Sequence, residues 1–224
     1  MSSREFSRFM AEGRDNFLKS IFVSLIVSFA VFLIAYFIRL KSIESFMPKY
    51  GFFIFFSILS YSLIVTTLKH ISRYNEFPCM GGMMVGMTLG MIAGFLPGFF
   101  IGATNGMFVG SVFGMVVGIY LGVWSGKCCG IMGIMEGMMA GFMGGLMGAM
   151  TAIMMFNDHL KAAGVIVFAI SSMIIVGLNF MIYKESKSLD KQDTGNFVNL
   201  VLSFVLTTAT IWLSVFGPRS PLFQ

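Results

Sequence analysis

From Gly82 to Gly130 the chain reads GMMV GMTL GMIA GFLP GFFI GATN GMFV GSVF GMVV GIYL GVWS GKCC G, a glycine at every fourth residue without a miss. After one step of three the period resumes at Gly133, Gly137, Gly141 and Gly145. Between Glu76 and Lys127 this stretch carries no charged side chain. Fifty helical residues would extend ~75 Å, more than twice the ~30 Å hydrocarbon core of a bilayer. The run therefore folds back on itself inside a membrane. Pro97-Gly98 and Asn105-Gly106 are the available breakers, which predicts spans near Cys79–Leu96 and Ala103–Trp124.

The remainder of the 224 residues agrees. Hydrophobic residues make up 57% and charged residues 11%, less than half the charged share of a typical soluble domain. Such a chain cannot cover a soluble surface, and it lacks the polar content of a disordered or nucleic-acid-binding protein. The net charge of +5 therefore bears on topology, and no nucleic-acid partner is expected. Further charge-free stretches are Ile21–Ile38, Gly51–Leu68, Ala162–Tyr183 and Asn196–Trp212, and the stretch Cys129–Phe156 holds one acid, Glu136. The expected fold is all-α: a polytopic bundle of seven transmembrane helices whose central three pack through the GxxxG ladder.

The chain divides accordingly. Residues 1–18 form a cytoplasmic or interfacial segment, in which Phe6, Phe9, Met10, Gly13 and Phe17 recur at helical spacing. Residues 19–77 hold two spans, 78–156 a Gly/Met-rich core of three, and 157–216 the last two. Residues 217–224 are a tail whose Leu222-Phe223-Gln224 matches the remnant left when a viral 3C-type protease removes a tag, and it is set apart from function. The first apolar run is too long for a signal peptide and reads as an anchor. With the N-terminus inside, ten Lys and Arg face the cytoplasm and five the other side. The basic bias predicts an N-in, C-out protein of the cell membrane.

Close helix approach is the physical meaning of the ladder. Lipid offers little hydrophobic drive between helices, so association relies on backbone proximity at small residues. Glycines four apart drift ~40° around a helix per step, so one span can offer a close-packing surface to two neighbours. Gly82, Gly86, Gly90, Gly94, Gly110, Gly114, Gly118, Gly122, Gly137 and Gly141 are the expected packing positions. The same ladder is compatible with homo-oligomerisation.

Sixteen of the 21 methionines lie between Met80 and Met155. Met80, Met84, Met87 and Met91 form one helical stripe, and Cys129, Met132, Glu136, Met139, Met143, Met147, Met150 and Met154 form another. Gly82-Met84-Gly86-Met87-Gly90 recurs as Gly133-Met135-Gly137-Met138-Gly141, an internal duplication whose copies run parallel in the N-in topology. Cys79 begins one copy, and Cys128 and Cys129 begin the other, so all three thiols fall at the cytoplasmic face, where thiols stay reduced.

Thiolate and thioether are soft donors suited to Cu(I), and the two histidines are too few for a zinc site. The expected metal-handling set is Cys79, Met80, Met84, Met87, Cys128, Cys129, Met132 and Met139. Glu136, ~12 Å inside the boundary, is the expected cation or proton station. The competing readings are plain packing: methionine fills irregular gaps beside glycine grooves, and Glu136 is a neutral carboxyl bonded to a neighbouring span. His70 and His159 stand alone and read as solvated.

Met83-x-x-x-Met87 beside GxxxG resembles the small copper transporters of the Ctr type. The likeness covers two short motifs. Those transporters have three spans and a Met-rich N-terminal ectodomain, against seven expected spans and no such domain here. No phosphate-loop, dinucleotide, zincin or nucleophile-elbow pattern occurs, so no enzyme activity is expected. The functional expectation is a membrane transport or metal-handling protein for Cu(I) or another soft cation. The alternatives are a structural or assembly subunit of a membrane complex and a homo-oligomeric glycine-ladder channel.

Overall fold

The computed structural model describes residues 46–71, 79–127, 130–185 and 196–217, with a few helical positions between 22 and 33. The protein is a helical bundle. Its elements are α1 (Phe46–Ile71), α2 (Cys79–Asn105), α3 (Met107–Gly126), α4 (Gly130–Met154), α5 (Leu160–Glu185) and α6 (Asn196–Phe216). Among the described residues, five stretches are long and apolar enough to cross a bilayer: Gly51–Ile71, Met80–Asn105, Met107–Gly126, Gly130–Met154 and Leu160–Ile182. This makes it an integral membrane protein. The described apolar part of α6, Val201–Ser214, is shorter. Most of the expected first span, the interfacial segment 1–18 and nearly all of the tail lie outside the described residues.

The fold-back differs from expectation. α2 continues through Pro97 to Asn105, 27 residues in all, so Pro97-Gly98 is not the breaker. A proline inside a membrane helix is tolerated because surrounding helices re-satisfy the backbone group it frees, and α2 is surrounded. The reversal takes place in one residue, Gly106, at φ 102 and ψ 170. Only glycine adopts that backbone at no steric cost. Its N–H donates to Gly102 O at 3.1 Å and its carbonyl accepts from Gly110 N–H at 3.1 Å. One ladder glycine thus closes α2 and opens α3. Gly130, at φ 69, opens α4.

α2 is the axis of the molecule. Every other described helix packs on it, whereas α3 and α4 pack chiefly on α2 and on each other. A Cβ added at Gly90 would lie 2.8 Å from Gly137 O and 3.1 Å from Gly122 Cα. One at Gly118 would lie 2.8 Å from both Gly94 Cα and Gly141 O, and one at Gly114 would lie 2.9 Å from both Gly98 Cα and Gly145 Cα. The three helices therefore meet in levels: Gly86/Gly126/Gly133, Gly90/Gly122/Gly137, Gly94/Gly118/Gly141, Gly98/Gly114/Gly145 and Gly102/Gly110/Ala149. Numbers rise together along α2 and α4 and fall along α3, so α2 and α4 are parallel and α3 antiparallel. Five levels four residues apart span ~24 Å.

On the other side of α2, α1, α5 and α6 pack by side chains. Phe56 of α1 lies 6.4 Å from Phe100 of α2 and 5.4 Å from Phe168 of α5, ring centre to ring centre. Tyr61, Ile64, Leu89, Leu96, Phe99 and Ile175 are fully buried in this core.

Candidate functional site

The parallel course of α2 and α4 sets the two methionine repeats side by side. A Cβ on Gly144 or Gly148 of α4 would meet the carbonyl of Met91 or Phe95 of α2. Together with the levels Gly86/Gly133 and Gly90/Gly137, these contacts set Glu136 beside residues 83–89 of α2. Glu136 and Met83 are both half-buried. The N-terminal ends of α2 and α4 lie at the same end of the bundle. Cys128, Cys129 and the side chain of Cys79 are outside the described residues.

The methionines of the stripes face outward. Met80, Met84 and Met87 of α2 and Met132 and Met139 of α4 are all exposed, as are Met135, Met143, Met147, Met150 and Met154. The physical reason is the glycine ladder itself. Backbones in contact leave no room between α2, α3 and α4 for a thioether, so long side chains are forced to the perimeter. Among the described residues the methionines form a belt around the glycine core, with the α2–α4 seam as the place where donors of both repeats share a level.

Glu136 lies six residues into α4, ~9 Å from its start, in line with Ala140, Gly144 and Gly148. No hydrogen bond or ion pair reaches its carboxyl among the described residues, so the neutral carboxyl bonded to a neighbouring span is not seen there. Among the described residues there is no group of three or more His, Cys, Asp or Glu able to hold a metal ion. The donors at this seam, among the described residues, are thioethers and one carboxylate.

The two histidines differ. His159 is exposed in the turn before α5, with Nδ1 2.8 Å from Asp158 Oδ1. The hydrogen bonds that Asp158 accepts from the His159 side chain and backbone hold its carboxyl below the usual carboxylate range. His70, near the end of α1, is half-buried rather than solvated.

A second polar region escapes the sequence reading. On α6, Ser203, Thr207, Thr210 and Ser214 are all buried, on one face at i, i+4, i+7 and i+11. Opposite, α1 buries Ser57, Ser60, Tyr61, Thr66 and Thr67. Asn179 of α5 is buried and donates to Thr67 Oγ1 at 3.1 Å and Ile175 O at 2.9 Å. Asn105, closing α2, donates to Leu213 O of α6 at 2.5 Å. The signal was present as a helical stripe of hydroxyls in the last span, but hydropathy counts serine and threonine as near-neutral and hides it.

No family model, curated protein or solved structure matches the chain.

Proposed function

We propose that this is a seven-span protein of the cell membrane, N-terminus cytoplasmic and C-terminus opposite, that handles Cu(I) or another soft cation at the seam between its two methionine repeats. One observation supports the reading: α2 and α4 are parallel and in contact, so the two methionine repeats run side by side, with Glu136 of α4 beside the stretch of α2 that carries Met83, Met84 and Met87. Thioethers select a soft cation, and Glu136 supplies the single negative charge that balances a monovalent one. Cys79 opens α2, and Cys128 and Cys129 directly precede α4 in the sequence, so this reading makes the three thiols the entry donors. In this reading the glycine ladder is a rigid frame that fixes the level of the donors, and the methionine belt carries the ion along the outside of that frame.

The test is metal content of the full-length protein purified under reducing, copper-replete conditions. Bound copper is expected, lowered by Glu136→Gln and abolished when Cys79, Cys128 and Cys129 are replaced by Ser. Metal-free wild-type protein would remove the proposal.

The second reading is a subunit of a membrane assembly or a homo-oligomeric channel. It is favoured by the width of the apolar face that α3 and α4 leave uncovered: Phe108, Val116, Tyr120, Ile131, Met132 and Met139 are all more than half exposed. Stable co-purification with other subunits, or self-association in mild detergent, with no metal bound, would select it.

A further inference from the structure

Tyr61 is fully buried at mid-length of α1, and Ser57 is buried one turn before it. Among the described residues neither hydroxyl has a hydrogen-bond partner. The hydroxyls of Ser57 and of Thr210, on α6, stand beside the Tyr61 hydroxyl, yet neither pair has the distance and direction of a hydrogen bond. Thr210 itself is oriented: its hydroxyl points at Leu206 O, 3.1 Å, and Thr207 O, 2.8 Å. Its proton is engaged and its lone pairs remain as acceptors.

The cluster therefore has two donors without acceptors and an acceptor close by. Buried hydroxyls are left unpaired at a cost that folded proteins avoid, and polar groups that converge without touching are commonly bridged. Charge decides what can bridge them. No Asp, Glu, Lys or Arg is buried among the described residues, so an ion at this place would have no counter-charge and would pay its full desolvation. Hydroxyls that both donate and accept suit a neutral partner that does the same. We propose that Ser57, Tyr61 and Thr210 form a binding site at the α1–α6 seam for one small neutral hydrogen-bonding molecule of the size of water. Ser203, Thr207 and Ser214 extend the same buried face of α6 toward both ends of the helix, giving such a molecule polar groups along its way in.

The experiment uses radiolytic hydroxyl-radical labelling of the full chain in lipid nanodiscs, with water as the probe. Radicals formed from a bound water oxidise the side chains it touches, even where bulk solvent does not reach. Phe99 is as fully buried as Tyr61, but among apolar side chains, and serves as the reference. Tyr61 is expected to label several-fold faster than Phe99. The Ser57→Ala, Thr210→Val double variant should bring Tyr61 down to the Phe99 rate. Equal rates for Tyr61 and Phe99 in the wild-type protein would overturn the site, and so would wild-type labelling of Tyr61 in the double variant. The wild-type comparison stands even if the variant does not fold.

Discussion

The two sides of α2 are held together by opposite means. Toward α3 and α4 the contact is backbone on backbone: glycine levels in which an added methyl group would strike a carbonyl or a Cα of a neighbouring helix. Toward α1, α5 and α6 the contact is side chain on side chain, with phenylalanine rings interleaved and hydroxyls and amides buried among them. The difference teaches where tolerance lies. Backbone contacts cannot yield by rotating a side chain, so the glycine half is stiff and unforgiving. Rotamers and hydrogen bonds can rearrange, so the hydroxyl half has slack.

The largest effect should come from adding volume inside the glycine levels. Gly118→Ala places a methyl 2.8 Å from backbone atoms of both α2 and α4, and overpacking of this kind costs ~1–3 kcal/mol or more. Gly86→Ala should be milder, since its nearest backbone atom is 3.1 Å away. Gly177→Ala, in α5, meets nothing within 4 Å and should be neutral or stabilise by up to ~1 kcal/mol, alanine being the better helix former. Thermal unfolding in detergent should rank these as Gly118, Gly86, Gly177. Equal loss at Gly118 and Gly177 would erase the contrast between the halves.

Next comes the amide that ties α5 to α1. Asn179→Ala removes the bonds to Thr67 and Ile175 and should lower stability by ~1–2 kcal/mol. Thr67→Val keeps the volume and removes one partner, so ~0.6 kcal/mol is expected. A double-mutant cycle on the pair should give a coupling of that smaller size. No coupling would mean the polar groups of this half do not hold it together.

The smallest effect belongs to the turn outside both halves. Asp158 is fully exposed, and its carboxyl is held below the ordinary range by His159. A lowered folded-state pKa contributes stability above the unfolded value and loses it as pH falls through the folded one. Screening at an exposed site keeps the contribution small. Asp158→Asn should therefore lower the unfolding temperature at neutral pH by only a small amount and slightly flatten its fall in acid. A clear loss at neutral pH would give this turn a role in holding the bundle.

Membrane residence and helical class were legible in the sequence, because an uninterrupted apolar run longer than a bilayer leaves only helices that fold back. The four-residue period of the glycines was plain in the sequence, since a period survives in any register. What the period leaves open is which glycine meets which. That depended on the reversal falling at Gly106 rather than at Pro97, a choice made by the helices packed around α2. The outward turn of the methionines was likewise decided in three dimensions: once backbones touch, nothing long fits between them, and a stripe that reads as a lining becomes a belt. The placing of Glu136 beside residues 83–89 of α2 follows from the parallel course of α2 and α4. The meeting of Ser57 and Tyr61 with Thr210 needed residues far apart in the chain to share one depth. Sequence fixes periodicity along a helix, but the rotation and height of one helix against another come from summed contacts over the whole bundle, and only the tertiary structure contains that sum.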